Sequence, residues 1–308
     1  MSIIRLTFQV FLFSIWKGRG ECKHAATAAL VLISLFAISG CQTTKTNTTA
    51  VSDKEKTVES SKLIEKTTIP TLFFHGYSGT ENSFKGMLQR LEKNQKAVKE
   101  LVLIVGADGQ IQAEGDLSGK ADNPMVQVLF EDNKNNEWNQ AEWIKSCLLY
   151  LKENEGIDKV NIVGHSMGGV SALRYLGTYG QDTSLPQVQT FTAIGAPFND
   201  FVDDSGQSLT EELAKGPAVV SSRYQDYQQM IGNLPTTTRF FLIAGQLDEA
   251  DLSDGTVPLN SALAVYALLK QHGNEVEEKI VKGENAAHSM LHENQEVDQL
   301  VSRFVWNE

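Results

Sequence analysis

The stretch Val160-Asn-Ile-Val-Gly-His-Ser-Met-Gly-Gly-Val170 most limits what this chain can become. Strand-compatible residues lead into Gly164, and a run with helical character, Met167 to Tyr179, leads away from Gly168. Ser166 sits between them, with glycine two residues to either side. This is the pattern of a sharp, strained turn from a strand into a helix. The glycines leave room for strand and helix to approach, and the serine hydroxyl stands out of the sheet. The helix directs its positive end towards charge that develops beside the serine. The Met167 amide can then serve as one oxyanion donor. Ser166 is therefore expected to be a nucleophile.

The rest of the chain must supply a sheet around that turn. Short apolar runs at Thr71–Phe74, Leu101–Val105, Ile111–Ala113, Met125–Phe130, Val160–Val163, Thr190–Ile194, Phe240–Ala244 and Glu277–Val281 read as strands. Helical spacing marks Asn139–Glu155, Met167–Tyr179, Leu259–Gln271 and Glu296–Trp306. Strands alternating with helices predict an α/β fold with a mostly parallel, doubly wound sheet. One polar insert, Asn199 to Pro235, carries Tyr224, Tyr227 and Met230 at helical spacing. It is expected to form a small cap over the site.

A serine on such an elbow needs a base and an acid, which follow it in the order acid, then histidine. Six histidines narrow the choice. His75 and His165 precede Ser166, and His272 comes before the last strand. His288 follows that strand across a short polar loop and is the expected base, with His292 the alternative. The acid belongs after Phe240–Ala244, where Asp248, Glu249, Asp251 and Asp254 crowd one loop. Asp254 leads a D-G-T-V turn and is preferred, with Asp248 the main rival. The carboxylate would orient the imidazole and stabilise its cation. No calcium-loop spacing is present there, and neither a metal nor a cofactor is expected. A second oxyanion donor should come from the loop His75-Gly-Tyr-Ser-Gly79, with the Tyr77 amide the candidate. His75 is expected to brace that loop.

Several motifs resemble the DUF915 group of α/β hydrolases of Gram-positive surface proteins. They are F-H-G-Y-S-G-T-x-x-S-F from Phe74, N-P-x-x-x-V-x-F-x-D-N from Asn123, V-G-H-S-M-G-G from Val163, S-D-G-x-V-P from Ser253 and H-S-x-L-H-E-N from His288. The resemblance runs from about residue 68 to the C-terminus. It implies the α/β-hydrolase fold and the Ser166, Asp254, His288 triad, and says little about substrate.

The first 40 residues read separately. Arg5, Lys17, Arg19 and Lys23 precede an apolar run from Ala25 to Ile38 that is short for a membrane span. It closes on Ile38-Ser-Gly-Cys41, which is similar to a bacterial lipoprotein signal. Cleavage before Cys41 and lipidation of its thiol are expected. Cys22 would leave with the signal and Cys147 would stand alone, so no internal disulfide is expected. Residues 41–66 have few large apolar side chains and read as a tether to a hydrolase domain at 67–308.

A net charge of −11 argues against a nucleic-acid partner, which needs a basic face. The expectation is a monomeric serine esterase or lipase-like enzyme, held outside the cytoplasm by its lipid and acting on a small or lipid ester. An acyltransferase using the same triad, or a non-catalytic surface-binding lipoprotein with the same fold, is the alternative.

Overall fold

A computed structural model describes residues 66–202 and 206–307. The signal, Cys41 and the tether up to residue 65 lie outside the described residues.

The apolar runs become strands. They are β1 (Thr71–Phe74), β2 (Val98–Val105), β3 (Ile111–Gly115), β4 (Pro124–Phe130), β5 (Lys159–His165), β6 (Gln187–Ile194), β7 (Phe198–Phe201), β8 (Arg239–Gln246) and β9 (Val276–Lys282). Eight of them form one sheet in the order β3-β2-β4-β1-β5-β6-β8-β9. Every pairing is parallel except β2 with β3, which is antiparallel. β5, which leads to Ser166, lies near the middle.

The helices are α1 (Asn82–Lys93), α2 (Glu137–Asn154), α3 (Met167–Tyr179), α4 (Leu209–Lys215), α5 (Ser222–Met230), α6 (Leu259–Leu263), α7 (Val265–His272) and α8 (Gln295–Trp306). They cover both faces of the sheet, which is why its inner strands read as unbroken apolar runs rather than as alternation. The period of two still shows in the packing. Leu72, Phe74, Phe240 and Leu242 join a core with α2, α3 and α7 on one face. Phe73, Val163, Phe241 and Ile243 join a second core with α1 and α8 on the other.

The structure departs from the sequence expectation in three places. β7 forms at Phe198–Phe201, where no strand is expected. Phe84, Met87, Leu88 and Leu91 are buried along α1, a helix the sequence reading passes over. Its N-cap, Glu81, makes no side-chain capping bond, so no start signal marks it. The helix expected over 259–271 divides at Ala264 into α6 and α7. Within α6, the buried Ser261 hydroxyl donates to Asp200 O at 2.5 Å and accepts from the Asn199 amide at 3.2 Å.

The insert contains α4 and α5, with Tyr224 and Tyr227 buried. It is tied to the body by charge. Glu137, at the start of α2, accepts from Arg174 on α3 at 2.6 and 3.1 Å and from Arg223 on α5 at 2.7 Å. Arg223 also donates to Pro197 O at 2.9 Å. Cys147 is buried within α2, and burial pushes its thiol up. No described helix is long and apolar enough to cross a membrane.

Candidate active site

Ser166 holds φ 53° and ψ −124°, a left-handed conformation for a residue with a Cβ. Such backbone costs on the order of 1–3 kcal/mol and persists only where its surroundings impose it. The two glycines show how they do so. A Cβ on Gly164 would stand 2.6 Å from the Gly169 nitrogen, and one on Gly168 would stand 2.2 Å from Phe74 O. Strand, turn and helix are too close there for any side chain.

Ser166, His288 and Asp254 are brought into one hydrogen-bonded line. His288 Nε2 lies 2.9 Å from Ser166 Oγ, and His288 Nδ1 lies 2.7 Å from Asp254 Oδ2. A carboxylate can only accept, so Nδ1 carries the proton and Nε2 is left to accept from the serine hydroxyl. Asp254 is buried, and its other oxygen accepts the Thr256 and Val257 amides at 3.0 and 2.7 Å. The D-G-T-V turn therefore folds back on its own aspartate and aims Oδ2 at the ring. Asp248 is exposed and closes a different turn, accepting the Ala250 and Asp251 amides at 2.7 and 2.9 Å. His292 does not reach Ser166. Its Nδ1 lies 3.2 Å from Glu293 Oε1, and its ring packs 4.7 Å from that of His165.

The Tyr77 and Met167 amides donate no hydrogen bond among the described residues, so both are free to meet an oxyanion. His75 braces the Tyr77 loop as expected. Its Nδ1–H donates to Gly76 O at 2.8 Å, and its Nε2 accepts the Phe130 amide at 3.1 Å. Both nitrogens are committed, which fixes the neutral tautomer.

Three contributors were not found from the sequence. His165 Nε2–H donates to His288 O at 3.0 Å and so holds the backbone of His288. Arg90 on α1 binds Asp298 at 2.5 and 3.0 Å, Glu293 at 3.0 Å and His292 O at 3.1 Å. It thereby clamps the 3₁₀ helix His288–Glu293. Asn133 holds the Tyr77 loop. These contacts join residues far apart in the chain, and no local spacing announces them.

Burial pushes His75, His165 and His292 below the ordinary histidine value, His165 furthest. The unfolded chain then binds protons before the folded one as pH falls. This stabilising contribution is complete above about pH 6.5 and is lost as pH drops towards the folded values, at up to about 1.4 kcal/mol per pH unit for each ring kept neutral. Carboxylates lowered by hydrogen bonding, such as Asp158 and Glu211, lose their contribution further down the acid range. The urea midpoint is expected to fall between pH 7 and pH 5. A flat midpoint across that window would contradict the assignment of neutral, buried rings.

The family model for DUF915, an alpha/beta hydrolase of unknown function, matches residues 58–308. The chain belongs to the DUF915 family. Among solved structures, the lin2722 gene product of Listeria innocua is 28% identical, with TM-score 0.72 over 77% of this chain and 93% of that one. A candidate cell surface hydrolase of Lactobacillus plantarum WCFS1 is 24% identical, with TM-score 0.65 over 78% of this chain and 92% of that one. A search of curated proteins finds no match. The DUF915 assignment makes the protein a hydrolase, and the geometry above sets out what a hydrolase of this family can work with.

Proposed function

We propose that this DUF915 protein is a serine hydrolase that cleaves carboxylic esters through an acyl-enzyme. The observation that carries the reading is the unbroken line from Ser166 Oγ through His288 to Asp254. In this mechanism Ser166 attacks the acyl carbonyl carbon while its proton passes to His288 Nε2. Asp254 stabilises the imidazolium, and the Met167 and Tyr77 amides hold the oxyanion. His288 then returns the proton to the departing alkoxide. Water, deprotonated by the same ring, releases the acid and regenerates Ser166. An alcohol in place of that water would make the protein an acyltransferase, and a purely binding role would leave the line unused.

The same reading places the enzyme outside the cytoplasm, anchored by lipid at Cys41. That part rests on the basic, apolar and small-residue order that precedes the cysteine. The insert would serve as the cap. It follows β6 by way of Gly195, where a Cβ would stand 3.0 Å from Asp254 Oδ2 and 3.3 Å from His288 Nδ1.

A fluorophosphonate probe tests the proposal, because it forms a stable adduct only with an activated serine. Wild-type protein is expected to be labelled stoichiometrically, with the adduct mapped to the peptide containing Ser166. Folded protein that takes up no label, or takes it elsewhere, would refute the serine mechanism.

A further inference from the structure

We propose that Asn133 is a positioning residue for the oxyanion hole, fixing the Tyr77 amide through the backbone on its far side. This deepens the serine-ester reading and rests on it.

The loop after β1 runs directly against the nucleophile, since a Cβ on Gly76 would stand 2.8 Å from Ser166 Cβ. Tyr77 is 57% exposed, and Ser78 is exposed with φ 59°. A left-handed conformation at a serine costs about 1–2 kcal/mol, and the loop's own turn bond, Gly79 N–H to Gly76 O at 3.0 Å, is joined in holding it by contacts from outside. Asn133, three residues past the end of β4, supplies two. Its carbonyl accepts the Ser78 amide at 2.8 Å, and its Nδ2 donates to Gly79 O at 2.8 Å. On the near side, His75 fixes Gly76 O from Phe130, the last residue of β4. Tyr77 is therefore suspended between two clamps from the same stretch of chain. Its amide is left without an acceptor.

The side chain at 133 has to donate, because its partner is a carbonyl. An aspartate would set like partial charges against each other there. Asn133 touches neither Ser166 nor His288 in any hydrogen bond, so it acts on the reaction only through the loop. Displacing a reacting group by about 1 Å can cost on the order of 100-fold in rate. Removing one oxyanion donor altogether costs about 100- to 1000-fold.

The test compares an ester with its thionoester, in which sulfur replaces the carbonyl oxygen. Sulfur accepts hydrogen bonds poorly, so a well-placed amide donor favours the oxygen substrate. The ratio of the two rates is read within one sample and does not depend on the folded fraction. Asn133→Ala and Asn133→Asp are both expected to lose roughly 10- to 100-fold in kcat on the ester, with KM little changed. The oxygen-to-sulfur preference should shrink by a similar factor. Because the Ser78 contact uses the main chain, both variants keep half of the clamp. An unchanged preference, whatever happens to Tm, would overturn the assignment and leave Asn133 a structural residue. Absence of ester turnover in the wild type would overturn the serine-ester reading, and this assignment with it.

Discussion

Ser166→Ala is expected to lower kcat on a short p-nitrophenyl ester by on the order of 10⁵- to 10⁶-fold, the loss typical when a triad nucleophile is removed. Any residual rate would come from binding and the oxyanion amides, which the substitution leaves in place. Stability should hardly move. Among the described residues the hydrogen bond lost is the one to His288 Nε2, worth about 1 kcal/mol. Alanine inherits the same φ of 53°, and with it the same strain. Ser166→Gly should be equally inactive but more stable than Ser166→Ala by about 1 kcal/mol, because glycine accepts a positive φ without cost. The measurement is a chain-length series of p-nitrophenyl esters on wild type and variant, with urea unfolding of both variants. Equal rates from wild type and Ser166→Ala across the series would sink the esterase proposal.

What the chain disclosed in advance follows from the range of the interactions. Strands and helices are set by residues a few positions apart, and the expected boundaries of β1, β4, α3 and α8 fall within about a residue of those observed. The elbow is just as local, since Gly164 and Gly168 act on atoms that the turn itself brings near. The choice of Asp254 over Asp248 was half legible. The D-G-T-V turn marks an aspartate that accepts its own following amides, but Asp248 does the same in its own turn. Only the packing of β8 against β9, which brings the His288 amide to 2.8 Å from Asp254 O, separates the two. Arg90 and Asn133 were not legible as parts of a site. Each reads as an ordinary polar residue until tertiary structure sets it beside a loop from a distant part of the chain. Asn133 does stand in the N-P-x-x-x-V-x-F-x-D-N motif, but the motif marks the position without giving the reason for it.

The sharpest test of the acid is Asp254→Asn, expected to cost about 10⁴-fold in kcat with the fold intact. An asparagine at 254 has to choose how to place one oxygen and one NH₂. The Oδ1 position receives two backbone amides, from Thr256 and Val257. Putting the NH₂ there would set donor against donor and leave both N–H groups without their acceptor, at about 1–3 kcal/mol for the buried Val257 amide. The oxygen therefore stays at Oδ1, and the NH₂ takes the place of Oδ2, 2.7 Å from His288 Nδ1. A donor there needs an acceptor, so Nδ1 gives up its proton and Nε2 carries it instead. The tautomer change costs far less than two unpaired amides, so the turn governs the ring. His288 then presents an N–H to Ser166 Oγ and has no lone pair to receive the serine proton. The variant should keep wild-type urea stability to within about 1 kcal/mol and label with fluorophosphonate thousands of times more slowly. Asp248→Asn, which faces solvent and its own turn, should retain wild-type turnover. Asp254→Ala is less informative, because it also strips the acceptor from Thr256 and Val257 and would confuse loss of folding with loss of chemistry. If Asp248→Asn abolished activity and Asp254→Asn did not, the acid would have to be reassigned, and the hydrogen bond to His288 Nδ1 would be a feature of the fold alone.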